Sequence, residues 1–120
     1  MTNSVLIVDD NRALAENIAE ILQGDGHNTD VAESAEEALR KALTQEFGVV
    51  VTDVRLPGMT GIDLVRMMRR CGMSGLAIVI SAHIDEGTAS AAKDLGVALL
   101  EKPLDLARLN RLVRGHEGSA

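Results

Sequence analysis

The chain has no tryptophan and no tyrosine, and Phe47 is its single aromatic residue, so any core must be aliphatic. It has one cysteine, Cys71, which excludes an internal disulfide and makes a reducing, cytoplasmic compartment the natural one. That thiol is expected to pack on the inner face of a helix rather than to react. Basic residues are few: 12 Lys and Arg against 18 Asp and Glu leave a net charge of −6. That sign argues against direct nucleic-acid or anionic-membrane binding, both of which need a basic surface. No apolar stretch approaches the ~20 residues that span a bilayer. The first apolar run follows Met1-Thr2-Asn3 directly, which predicts no signal peptide. There is no G-x-x-x-x-G-K-S/T loop and no G-x-G-x-x-G turn. No His/Cys cluster offers a zinc site, and no Ser-His-Asp set is suggested.

What is present is a set of apolar runs, each ending on a residue suited to phosphate chemistry. Val5-Leu6-Ile7-Val8 leads into Asp9-Asp10, and Val49-Val50-Val51-Thr52 into Asp53. Leu76-Ala77-Ile78-Val79-Ile80 leads into Ser81, and Val97-Ala98-Leu99-Leu100-Glu101 into Lys102-Pro103. Continuous apolar runs of this length read as parallel strands covered on both faces. Parallel strands gather their carboxyl ends at one edge of a sheet, where open α/β folds place ligands.

Segments of helical period separate the runs. Leu14, Ile18, Ile21 and Leu22 share a face after Asp10 or Asn11 as cap, and Gly24 and Gly26 stop the helix. Ser34 and Glu37 form a capping box that opens a helix burying Ala35, Ala38, Leu39, Ala42 and Leu43. Thr60 and Asp63 open another, with Leu64, Val65, Met68 and Cys71 inward. The segment Glu86 to Leu95 has a mostly alanine face and is expected to be the most mobile helix. A last helix runs near Leu106 to Val113.

The result is β-α repeated five times within the length of one domain. The second strand, near Asn28 to Ala32, is short and polar and belongs at an edge. We read the fold as α/β, a single flavodoxin-like (βα)5 doubly wound domain whose five-stranded parallel sheet has order 2-1-3-4-5. Residues 1–114 form the domain, and 115–120 are a polar tail or the start of a linker.

Helix capping explains one of Asp9 and Asp10, but not both. Two carboxylates ~4 Å apart repel by about 4 kcal/mol at an effective dielectric near 20. Domains are stable by only ~5–15 kcal/mol, so an acidic cluster persists most readily with a cation. A few hard oxygen ligands suit Mg²⁺, with Mn²⁺ also acceptable, better than Zn²⁺. A carboxylate beside such an ion can attack phosphorus to give an acyl phosphate, with Lys102 as a second cation. His27 and His116 read as solvated, and His83 has no catalytic role.

Asp9-Asp10, Asp53, Ser81-Ala82 and Lys102-Pro103, with Pro57-Gly58-Met59-Thr60-Gly61 after the central Asp, resemble the receiver domain of bacterial two-component response regulators. The resemblance spans roughly Ser4 to Val113. It implies that Asp53 accepts a phosphoryl group from a sensor histidine kinase or phosphotransfer protein. It implies that Asp10, Asp53 and the backbone carbonyl of Arg55 bind Mg²⁺, with Asp9 acting through water. Lys102 would contact the phosphoryl group, Ser81 would turn towards it, and the Lys102–Pro103 bond would be cis. Pro57 and Gly61 would be structural. Leu99 stands where family members often carry Tyr or Phe as a switch, and Arg55 and His83 stand where the family tunes phosphoryl lifetime.

The implied function is a phosphorylation-controlled switch, catalytic only towards its own phosphorylation and hydrolysis. Its output face would be the fourth helix, last strand and last helix, read by an output domain or partner or by phosphorylation-dependent homodimerisation. A transcriptional output follows by analogy. Two readings stand beside it: a receiver-like adaptor that binds partners without phosphorylation, and a Mg²⁺-dependent phosphohydrolase. The latter needs a substrate pocket and second acid/base that the sequence does not display.

Overall fold

β-branched and long aliphatic residues follow one another in the apolar runs, which suits the pleated, half-buried surface of a strand. The computed structural model describes residues 4–118. Five strands, β1 (Ser4–Val8), β2 (Asn28–Ala32), β3 (Val49–Asp53), β4 (Leu76–Ser81) and β5 (Ala98–Glu101), pair in parallel. Their order is β2-β1-β3-β4-β5, the flavodoxin-like arrangement, with polar β2 at an edge. The helices between and after them are α1 (Arg12–Gly24), α2 (Ala35–Thr44), α3 (Gly61–Arg70), α4 (Glu86–Leu95) and α5 (Leu106–Gly118).

Successive strand side chains point to opposite faces, which divides the core in two. Val5, Ile7, Val49, Val51, Ile78 and Ile80 meet α1 and α5 through Ile18, Leu22, Leu109 and Val113. On the other face, Leu6, Val8 and Val50 meet α2 and α3 through Ala35, Ala38, Leu64 and Met68. Ala77 and Val79 meet α3 and α4 through Ile62, Val65 and Ala92. Each fully buried Leu, Ile or Val is worth about 1.5–3 kcal/mol over its exposed state. Ala92 is the one fully buried residue of α4, so little apolar area fastens that helix.

Side-chain caps fix where the helices begin. Asn11, rather than Asp10, caps α1, its Oδ1 accepting the Leu14 N–H at 3.2 Å. Ser34 accepts the Glu37 N–H at 3.1 Å, but Glu37 reaches back to the Glu33 N–H, at 2.8 Å, instead of that of Ser34. Thr60 caps α3 and Asp85 caps α4, accepting from Asp63 and Thr88 at 3.1 and 2.7 Å. The Thr88 N–H holds the Asp85 carboxyl below its ordinary value.

Four expectations are corrected. Leu43 is 72% exposed, because the neighbouring layers cover the Ala35-Ala38-Ala42 stripe and Leu43 lies about 100° further round the helix. Cys71 is exposed: α3 ends at Arg70 and the chain turns through Gly72, so the inward period does not reach it. His27 is buried, because the turn after α1 returns its N–H to the Leu22 carbonyl and lays the imidazole beside Asp25, Nε2 to Oδ2 3.6 Å. The last helix runs on to Gly118 rather than ending near Val113. The side chain of His116, together with Ser119 and Ala120, lies outside the described residues.

Candidate functional site

Parallel register brings the acidic strand ends together. Val8 pairs with Thr52 across β1 and β3, so Asp9 and Asp53 take the next matched positions on backbones about 4.8 Å apart. Asp53 is buried, 9% exposed. Its Oδ2 accepts a hydrogen bond from Lys102 Nζ at 2.9 Å, and its Oδ1 accepts the Arg55 N–H at 3.0 Å. Asp9 is buried as well, its Oδ1 accepting the Asn11 N–H at 2.9 Å. Asp10 is exposed.

Lys102 arrives from the far edge of the sheet. Ser81 pairs with Glu101, and the Lys102 N–H extends that ladder by donating to the Ser81 carbonyl at 2.9 Å. The Lys102–Pro103 bond is cis.

Burial pushes the Asp9 carboxyl above its ordinary value; the Asn11 N–H and Lys102 oppose this, while the charges of Asp53 and Asp10 add to it. Lys102 is raised, foremost by its hydrogen bond to Asp53, with burial opposing and the charges of Asp53, Asp9 and Asp10 adding. Lys102 gives its hydrogen bond to Asp53, and the buried Asp9 carboxyl is held up chiefly by desolvation. Among the described residues, no three His, Cys, Asp or Glu side chains group into a metal site. The carboxylates at this edge are those of buried Asp53 and Asp9 and exposed Asp10, with Arg55 tied to Asp53 through its N–H. Carboxylate oxygens without nitrogen or sulfur donors among them would suit a hard divalent cation such as Mg²⁺.

The loop after Asp53 folds as a small antiparallel hairpin, Arg55–Leu56 against Met59–Thr60, which periodicity did not foresee. Pro57 and Gly58 form its tip, Gly58 at φ +83°, as a type II turn requires. The turn is legible in the Pro-Gly pair itself. Gly61 then donates its N–H to the Val54 carbonyl at 2.8 Å, and a Cβ there would strike the Asp53 carbonyl oxygen. A glycine at 61 is thus what lets α3 start against the acceptor strand. Thr52, wholly buried, donates its hydroxyl to that same Asp53 carbonyl at 2.9 Å, a support the sequence reading missed.

Two residues named with this site engage other partners. The Ser81 hydroxyl donates to the His83 carbonyl at 2.6 Å and receives the His83 N–H at 3.2 Å, closing a local turn. Leu99 is partly buried against the cluster of Ile62, Val65, Ala77, Val79 and Ala92.

Comparison with known proteins agrees with this architecture. A family model described as the response regulator receiver domain matches residues 5–114. A response regulator receiver protein of Anaeromyxobacter sp. is 43% identical over 105 residues, covering 87% of this chain and 44% of the relative. The transcriptional regulatory protein FixJ of Azorhizobium caulinodans is 35% identical, with 95% of this chain and 54% of the relative covered. The chain spans about half the length of the curated relatives it matches. Among solved structures, the Francisella response regulator 1452 receiver domain is 26% identical with TM-score 0.88, 98% of each chain covered. A two-component response regulator from Clostridium difficile, 21% identical with TM-score 0.90 and coverage of 98% and 97%, shares the fold.

Proposed function

Because the chain belongs to the response regulator receiver family, we propose that it is a phosphorylation switch whose acceptor is Asp53. The observation that carries this reading is the pairing of a buried carboxylate with Lys102 at 2.9 Å beside a second buried acid, Asp9.

An Asp53 carboxylate oxygen attacks the phosphorus of a phosphohistidine on a sensor kinase or phosphotransfer protein. The O–P bond forms as the P–N bond breaks, and the donor imidazole keeps the electron pair and takes up a proton. Lys102 exchanges its hold on Oδ2 for a phosphoryl oxygen and meets the charge that builds there. Asp10, Asp53 and the Arg55 carbonyl would hold Mg²⁺, with Asp9 acting through water, and the ion would supply neutralisation of phosphoryl charge. Ser81 releases the His83 carbonyl to bind the phosphoryl group.

The new charge at Asp53 biases the face built from α4, β5 and α5, of which α4 is only lightly fastened to the core. Leu99 has neither ring nor hydroxyl to swing, so backbone shifts of α4 and β5 carry the signal. An output domain, a partner or a second copy reads that face. Relatives named as transcriptional regulators support a transcriptional output.

Intact mass after incubation with acetyl phosphate and Mg²⁺ tests the reading. Wild type should gain one phosphoryl group, and Asp53→Asn should gain none. No gain in wild type would instead favour an adaptor that binds partners without phosphorylation.

A further inference from the structure

β2 is an edge strand, and an edge strand exposes a row of backbone N–H and C=O groups able to pair with another chain. Alternate residues of a strand turn these groups to opposite sides. The Ala32 carbonyl accepts the Asp9 N–H at 3.0 Å, which fixes the inward side, so Thr29, Val31 and Glu33 turn theirs outward.

Three of those outward groups, the Val31 N–H and C=O and the Glu33 N–H, are engaged from within the chain. The Val31 N–H donates to Asp30 Oδ1 at 2.9 Å. Lys41 of α2 donates to the Val31 carbonyl and to that same Asp30 oxygen, both at 2.7 Å. The Glu33 N–H is taken by Glu37 at 2.8 Å. Gln45 holds the other Asp30 oxygen at 3.4 Å, and Glu37 lies 3.8 Å from Lys41. A surface ion pair by itself contributes little to stability. Here the two charges are spent on backbone groups that a second strand would otherwise claim.

We propose that Lys41 and Asp30 form a guard that bars the β2 edge from pairing with the β2 edge of a second copy. A two-fold pairing of β2 with β2 is antiparallel and needs the Val31 N–H and C=O of both copies, which are the groups the guard occupies. The device lies on α2 and β2, apart from the acidic site, and does not depend on the phosphorylation reading.

The test compares unphosphorylated wild type, Lys41→Ala and Asp30→Ala by light scattering across concentration. The variants are expected to double the assembly mass of wild type, and adding Thr29→Pro, which removes an outward N–H at the same edge, is expected to reverse it. Variants that fold by circular dichroism and keep the wild-type mass would overturn the proposal, as would a doubling insensitive to Thr29→Pro. Amide exchange on wild type reads the guard without mutation: the Val31 and Glu33 N–H groups should be protected well beyond that of Thr29. Equal, fast exchange at all three would overturn it too.

Discussion

Replacing Asp9 by Asn should stabilise the metal-free protein. Asp9 and Asp53 hold matched positions on adjacent strands, and like charges about 5 Å apart repel by roughly 3 kcal/mol at an effective dielectric near 20. Lys102, 2.9 Å from Asp53, cancels much of that repulsion, and the Asn11 N–H offsets part of the burial cost. A residue of about 1 kcal/mol is left. Asn keeps an acceptor oxygen for the Asn11 N–H, so the local turn survives the change. For a domain of this size, 1 kcal/mol corresponds to about 4 °C in Tm. The sign with pH follows from the raised Asp9 value. An acid whose folded pKa lies above its unfolded one is penalised only when ionised, so the penalty is absent at low pH and complete above the folded value. Thermal unfolding by circular dichroism in chelator should therefore show a gain for Asp9→Asn at pH 7 that disappears near pH 3. Mg²⁺ should raise the wild-type Tm and shrink the gain. Asp10→Asn, at an exposed position, should also stabilise the metal-free protein, by less. A lower Tm for Asp9→Asn in chelator at pH 7, or a gain unchanged at pH 3, would refute the electrostatic reasoning.

Other perturbations probe separate links. Gly61→Ala places a Cβ against the Asp53 carbonyl and the Thr52 methyl, and should cost about 2 kcal/mol in denaturant unfolding while slowing phosphorylation by acetyl phosphate. Ile18→Ala, in the core under α1, should cost about 2–5 kcal/mol, whereas Leu43→Ala should stay within about 0.5 kcal/mol despite similar chemistry. Burial pushes Asp30 up, but Lys41, the Val31 N–H and Gln45 outweigh it and hold the carboxyl below its ordinary value. Its contribution is present above the unfolded pKa and fades as pH falls through the folded one. Asp30→Asn should thus lower Tm at pH 7, with the gap to wild type closing below about pH 4.

The order of elements and the layering of the sheet are written in the chain. Long apolar runs such as Val49-Val50-Val51 suit only doubly covered strands, and polar Asn28-Thr29-Asp30 suits only an edge. The strand-end acids and the Lys-Pro pair were visible because strand ends are fixed by where an apolar run stops. Local caps were legible for the same reason, since Ser34 and Thr60 act within one turn of themselves.

Tertiary structure decided what depends on the opposite surface. Leu43 and Ala42 sit side by side in one helix, yet only the packing of α2 against its neighbours determined which is covered. His27 became buried, and Cys71 exposed, because a turn at each helix end redirects the chain where period no longer applies. Which of two consecutive acids carries the burial, Asp9 rather than Asp10, follows from the seating of β1 between β2 and β3. The engagement of Val31 by Lys41 and Asp30 likewise exists only once α2 folds back beside the sheet edge. Local sequence sets conformation through short-range sterics and hydrogen bonds, whereas burial and charge coupling are set by whichever group the fold places opposite.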